Sequence, residues 1–279
     1  MIAHPFEYYR PHTAQEAAQA YGEVRDARGE PLYYGGGTEI ITMARMSSIQ
    51  PAAVIDLKGI PELSTLRMDA GKLTIGGCVA LSALHETNLF PLLGAVASRI
   101  ADHTNQVRIT LGGNLAGTVI YRETALALML ADATLVFCGP GGERPVPIAH
   151  GFCERLLRGQ DEYLARVVVD AKFLHAPWVH VKKAPVEKIG YPLVTVAAMK
   201  VDGRLRLTVS GFCGFPFRAP APMEATMNDR SLSARDRAEQ MAAQAPADVL
   251  ADVGAQADYR IKVFIDTVED AVAALEMEA

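Results

Sequence analysis

Two glycine clusters carry the residue types and spacing that could do chemistry in this chain: Gly35-Gly36-Gly37-Thr38 and Thr110-Leu111-Gly112-Gly113-Asn114. Each joins an apolar run to a polar turn. Glycine adopts positive φ and lets the backbone approach a ligand, which turns successive N–H groups toward an anion. Thr38 and Thr110 add hydroxyls and Asn114 an amide. The helix expected after Thr38 adds the positive end of its dipole. Neither cluster is a Walker A loop, since no Gly-Lys-Ser/Thr follows, and neither fits Gly-x-Gly-x-x-Gly. One cluster alone reads as a sharp turn between packed elements. Two of them, in adjoining parts of the chain, read as the two sides of a pyrophosphate site, and FAD suits such a cleft better than NAD because the Rossmann pattern is missing.

No other constellation competes. Cys78, Cys138, Cys153 and Cys213 are far apart without a Cys-x-x-Cys, so local pairs form neither a zinc knuckle nor an iron–sulfur cluster, and they read as reduced, mostly buried thiols. His103 reads as a polar helix end, Asp132 as a turn former, and Trp178 as packing; no catalytic or metal-ligating set emerges. Lys and Arg total 27 against 32 Asp and Glu, a formal charge of −5 with half the residues apolar. That is a globular composition without the basic face that nucleic-acid binding requires. The first residues lack the features of a signal peptide and no run is long enough to span a bilayer, so the expected location is the cytoplasm.

The elements that must position the clusters follow from pattern. A capping signature at Thr13-Ala14-Gln15-Glu16 opens a helix over 13–24. A strand over 31–34 runs into the first cluster, a helix over 38–46 leaves it, and 53–57 is a buried strand. Short β pieces occupy 65–80, including 72–77, followed by helices over 81–86, 90–103 and 123–130 and strands over 133–138 and 163–170. Past Pro177, 193–201 and 205–212 form a hairpin about Asp202-Gly203, with helices over 231–243 and 246–276. Strands and helices mix without strict alternation, so the class is α+β, in units 1–57, 58–176 and 177–279.

Gly35-Gly36-Gly37-Thr38-Glu39-Ile40-Ile41 resembles the Ala-Gly-Gly-Thr-Asp-Leu-Leu segment of the FAD-binding (medium) subunit of the xanthine dehydrogenase and carbon monoxide dehydrogenase family. Thr110-Leu111-Gly112-Gly113-Asn114 is similar to that family's Thr-Ile-Gly-Gly-Asn, and Leu73-Thr74-Ile75-Gly76-Gly77 to its Leu-x-Ile-Gly-Ala. The likeness continues through Tyr191-Pro192-Leu193 and Ala257-Asp258-Tyr259-Arg260. It implies a two-subdomain FAD-binding fold of the PCMH/vanillyl-alcohol-oxidase type, followed by a C-terminal α+β domain with an antiparallel sheet and helices.

The resemblance also implies a function: an electron-transfer subunit of a molybdenum hydroxylase. Partners would be a molybdopterin-binding large subunit and a 2Fe-2S small subunit, in a heterotrimer or its dimer, with electrons passing through FAD to NAD⁺ or another acceptor. By the same likeness Gly35, Gly36, Gly37, Thr38 and Glu39 would hold the cofactor from one side and Thr110, Leu111, Gly112, Gly113 and Asn114 from the other. Glu123 stands where the family has an Asp against ribose or adenine, and Lys182 where it has a Lys near the flavin, although Tyr121-Arg122 and Pro185-Val186 depart from the pattern. Two other readings stay open: a free-standing FAD-dependent oxidase or reductase, and a non-enzymatic scaffold whose glycine loops are only turns.

Overall fold

The computed structural model describes residues 2, 4–185 and 190–277, so Val186 of the Pro185-Val186 departure lies outside the described residues. The chain opens with β1 (Glu7–Tyr9), α1 (Ala14–Arg28), β2 (Pro31–Tyr34), α2 (Thr38–Arg45) and β3 (Ala53–Asp56), whose strands pair in parallel in the order β1-β3-β2. The central strand reads Ala53-Val54-Ile55-Asp56 and is buried at every position, the pattern of a strand covered on both faces. Thr13 caps α1, accepting from the Glu16 N–H at 3.1 Å, while Glu16 reaches back to the His12 N–H at 2.7 Å.

Next come the hairpin β4 (Leu66–Asp69) and β5 (Lys72–Gly76) and the helices α3 (Leu81–Thr87), α4 (Pro91–Ala97), α5 (His103–Gln106), α6 (Leu111–Ala116) and α7 (Thr124–Leu130). They are followed by β6 (Thr134–Gly139), β7 (Gly142–Pro147), α8 (Ile148–Gly151), the small hairpin β8 (Phe152–Cys153) and β9 (Arg155–Leu156), and β10 (Tyr163–Asp170). The antiparallel sheet runs β4-β5-β10-β6-β7. The helix expected over 90–103 ends at Ala97. Ala101 takes φ +56°, and Asp102 starts α5 instead by accepting from the Asn105 N–H at 2.9 Å; a side-chain cap competes with helix continuation.

The last part holds β11 (Trp178–Lys183), β12 (Val194–Val201), β13 (Arg204–Ser210), β14 (Phe217–Arg218), α9 (Ala221–Met227), α10 (Ala234–Ala243) and α11 (Ala257–Met277). Its sheet is antiparallel in that strand order. Asp202 and Gly203 turn the hairpin with φ of +50° and +75°, the double positive that Asp-Gly favours. Strand β12 is shared by two cores: Val194, Val196 and Ala198 pack with Phe264 and Val268 of α11, whereas Ala197, Met199 and Val201 join the core around α7. Every residue of α7 is buried. Its final carbonyls receive Arg206 (to Leu130 O, 2.8 Å) and Arg218 (to Met129 O, 3.3 Å), and both guanidinium groups pair with Asp132 at 2.6 Å. Asp132 makes its turn at φ +45°, and the two cations complement the negative helix end. Trp178 opens β11, a strand the pattern did not indicate, and packs against the central core.

The helix expected over 246–276 begins only at Ala257. The preceding irregular stretch is organised by Arg260, which is 1% exposed and donates to the carbonyls of Leu250 (3.0 Å), Leu193 (2.5 Å) and Gly211 (2.8 Å) and to the Asp252 carboxylate (2.8 Å). Arg260→Met should therefore leave several buried acceptors unpaired and lower stability by about 3 kcal/mol or more, as a shift in the urea midpoint would show.

Candidate cofactor cleft

Strand β2 delivers the first glycine segment straight into α2. Gly37 is the helix N-cap at φ +71°, the only positive φ in either cluster among the described residues, and a Cβ there would run into the Tyr34 ring. No side chain caps α2. The N–H groups of its first turn, which a helix cannot satisfy by itself, therefore point out of the helix end together with the positive pole of the dipole.

The second cluster is built differently. The expected glycine turn is the first turn of α6, with Thr110 as N-cap accepting from the Gly113 N–H at 3.1 Å. The N–H groups of Leu111, Gly112 and Asn114 donate to the carbonyls of Val79 (2.8 Å), Gly77 (2.9 Å) and Thr110 (2.8 Å). These amides are committed inside the chain. Left without an acceptor among the described residues are the O–H of Thr110, itself buried against Gly35, and the NH₂ end of the half-buried Asn114, whose Oδ1 accepts from the Thr124 N–H at 3.3 Å and hydroxyl at 2.6 Å. Glycine is required here for close approach. A Cβ at Gly112 would stand 2.8 Å from the Gly77 carbonyl, and the Gly77 N–H in turn donates at 2.8 Å to Ala165 O, at the register shift of β10 against β6.

The two clusters meet face to face. A Cβ at Gly35 would lie 2.7 Å from Thr110 Oγ1, and one at Gly36 would fall inside the Arg108 carbonyl. Beyond that contact, Glu39 on α2 accepts from the Thr118 N–H at 2.8 and 3.0 Å and from the Thr118 hydroxyl. The Arg122 guanidinium donates to Gly117 O (2.8 Å) and Glu154 O (2.9 Å), and Tyr121 stacks on Tyr191 with centroids 4.9 Å apart. The bulky stretch after Asn114 is thus strapped to α2, to the β8–β9 hairpin and to the C-terminal sheet.

Beside the first segment, Lys58 Nζ donates at 2.7 Å to both Gly35 O and Asp56 Oδ1 and lies 4.3 Å from the centroid of the Tyr34 ring. Asp56 is buried, and its Oδ2 takes the Tyr8 hydroxyl at 2.5 Å. Burial pushes its carboxyl up, but hydrogen bonds from Lys58 and Tyr8 outweigh that and hold it below the usual carboxylate range. Both residues escaped sequence reasoning, which read 53–57 as a plain buried strand. The available signal was an Asp closing a buried strand two residues before a Lys.

Glu123 and Lys182 come together with each other. Lys182 Nζ donates to Glu123 Oε2 and to Arg99 O, each at 2.8 Å, and the Thr195 hydroxyl donates to Glu123 Oε1 at 2.7 Å; both side chains are buried. Both carboxylate oxygens accept bonds within the chain, and the buried pair ties the start of α7 to β11 and β12. On the same face of β11, His180 is half-buried, and its buried Nε2 is unpartnered among the described residues. Burial, with the Lys182 and Arg99 charges, pushes its imidazole down to about 4. Among the described residues, no group of three or more His, Cys, Asp or Glu is placed to hold a metal ion.

Two outcomes follow from this geometry. Gly36→Ala should cost about 2 kcal/mol or more because a backbone carbonyl must move, whereas Gly113→Ala, whose Cβ meets only Thr110 Oγ1 at 2.9 Å, should stay within about 1 kcal/mol; urea unfolding compares them. For His180, the unfolded imidazole takes up its proton near 6.5 and the folded one near 4, so stability is full above pH 6.5 and falls as the pH drops toward 4. Over pH 6.5 to 5 that loss is about 2 kcal/mol, and His180→Leu should flatten this part of the pH dependence.

The family model described as FAD binding domain in molybdopterin dehydrogenase matches residues 4–169. Among curated relatives, the carbon monoxide dehydrogenase medium chain of Hydrogenophaga pseudoflava is 29% identical over 190 residues, 65% of this chain and 64% of that one. The matched part thus spans under two thirds of that relative. The nicotinate dehydrogenase FAD-subunit of Eubacterium barkeri is 25% identical over 210 residues, 71% and 69% of the two chains. Among solved structures, carbon monoxide dehydrogenase from Hydrogenophaga pseudoflava superposes with a TM-score of 0.86 at 24% identity over 98% of both chains. Quinoline 2-oxidoreductase from Pseudomonas putida 86 superposes with a TM-score of 0.84 at 19% identity over 97% and 96%. These superpositions establish the fold as the expected two-part FAD-binding type with its C-terminal α+β portion. Since the family model covers more than half of the sequence, its glycine segments included, the chain belongs to the family of FAD-binding domains of molybdopterin dehydrogenases, and its cofactor is FAD.

Proposed function

We propose that this chain is the electron-transfer subunit of a molybdenum hydroxylase complex, taking electrons from 2Fe-2S clusters on a small partner chain and passing them to NAD⁺ or another acceptor. Substrate oxidation then occurs at a molybdopterin centre on a large partner chain. The observation that carries this reading is the meeting of the two glycine segments at the uncapped end of α2. Its donor set suits a diphosphate: outward N–H groups, a helix dipole, a threonine hydroxyl and an asparagine amide. When bound there, FAD supplies the chemistry that accepts electrons singly and releases them in pairs.

In this reading the first-turn N–H groups beginning at Gly37, Thr38 and Glu39 bind the pyrophosphate, while Thr110 and Asn114 contribute side-chain donors from the facing helix. The Gly36 N–H joins those donors, while Gly35, Leu111, Gly112 and Gly113 act through close packing that holds the two segments at their spacing. Glu123 and Lys182 brace α7 against the C-terminal sheet. We divide the chain at 1–57, 58–176 and 177–279, which keeps each of the three larger sheets whole. Four free thiols agree with a reducing compartment, the cytoplasm; no described helix is long and apolar enough to cross a membrane.

The test is isolation of the protein at native levels. An oxidised-flavin absorbance band near roughly 450 nm, together with co-purifying molybdenum- and iron–sulfur-containing chains, is the expected outcome. A colourless preparation would favour the scaffold reading, and a monomer that turns over a small substrate unaided would favour a free-standing oxidase or reductase.

A further inference from the structure

We infer that Lys58 is a positioning residue for the bound dinucleotide: it fixes the peptide plane between Gly35 and Gly36, and with it the direction of the Gly36 N–H. The inference rests on the reading above that this segment holds the pyrophosphate of FAD. In a trans peptide the C=O and N–H point opposite ways. With Gly35 O drawn to Lys58 Nζ at 2.7 Å, the N–H of the same peptide must face away from Lys58. The contacts of Gly35 and Gly36 with Thr110 and the Arg108 carbonyl fix where this segment lies; with no Cβ on either residue to set the peptide plane between them, the bond from Lys58 decides which way that plane faces. Charge-assisted bonds of this length are among the strong ones.

Lys58 is itself held in place. Although its side chain is 40% exposed, its ammonium also donates to Asp56 Oδ1 at 2.7 Å and lies over the Tyr34 ring. Asp56 is fixed in turn by the Lys58 N–H at 3.0 Å and the Tyr8 hydroxyl at 2.5 Å. The Asp56 carboxylate neutralises the ammonium, so Lys58 works by direction, not as a free positive charge attracting the anion. Its effect should therefore survive salt, which screens charge at a distance.

The experiment measures FAD affinity of the full-length apoprotein by quenching of flavin fluorescence, at low salt and at about 0.5 M KCl. Lys58→Met should weaken binding roughly tenfold or more at both salt concentrations, and Lys58→Arg, which can still donate to Gly35 O, should restore most of it. Should Lys58→Met fail to fold, Lys58→Ala, which likewise carries no donor, takes its place with the same expectation. A wild-type chain that does not bind FAD overturns the functional reading and this inference together. A wild type that binds, beside a Lys58→Met that binds equally tightly, overturns the role of Lys58 alone. So does a loss that disappears at high salt, or a Lys58→Arg protein as weak as Lys58→Met.

Discussion

The approach of two backbones, closer than any Cβ allows, is the constraint on which the rest of this structure depends. Gly35 and Gly36 lie against Thr110 and the Arg108 carbonyl, and the contact is passed inward as Gly112 packs on Gly77 and Gly77 on Leu164. Gly35 meets the Thr110 side chain, but Gly36, Gly112 and Gly77 each meet main chain, and several of these contacts are closed by N–H···O bonds such as Gly112 to Gly77 and Gly77 to Ala165. Backbone packed in this way has few ways to shift, since any added atom meets a carbonyl and not a pliable side chain. The end of α2 is thereby held against α6.

Within that frame the two segments divide the work unequally. The first has a left-handed N-cap and an uncapped helix end, so its donors are available. The second uses its amides internally and offers side-chain groups on a rigid helix start. Similar glycine content therefore serves two ends: conformational freedom at Gly37 and close approach at Gly112. The buried Asp56, kept ionised by Lys58 and Tyr8, adds an organised polar layer beside the first segment.

The C-terminal sheet joins the rest through polar groups, buried at Lys182–Glu123 and solvent-exposed at Asp132. Lys182 with Glu123, Arg206 and Arg218 with Asp132, and the Ser210 hydroxyl on Tyr121 O at 2.7 Å all cross that seam. Desolvating the Lys182–Glu123 pair is unfavourable unless each group finds its partner, so these contacts act mainly to select one docking geometry, while β12 supplies apolar contact on both of its faces.

By itself the sequence determined the local elements and the identity of the glycine segments, because capping at Thr13, the Asp202-Gly203 turn and the buried run at 53–57 act through near neighbours. It also determined the family, through the order of three short motifs. Tertiary structure alone decided that Thr110 starts a helix, since that depends on Gly77 and Val79 lying beneath it. It decided likewise that 178–183 extends along β12 and that Glu123 and Lys182 pair with each other. In each case the deciding partner is distant along the chain, and hydrogen-bond and charge pairing between distant residues leaves no periodic mark in sequence.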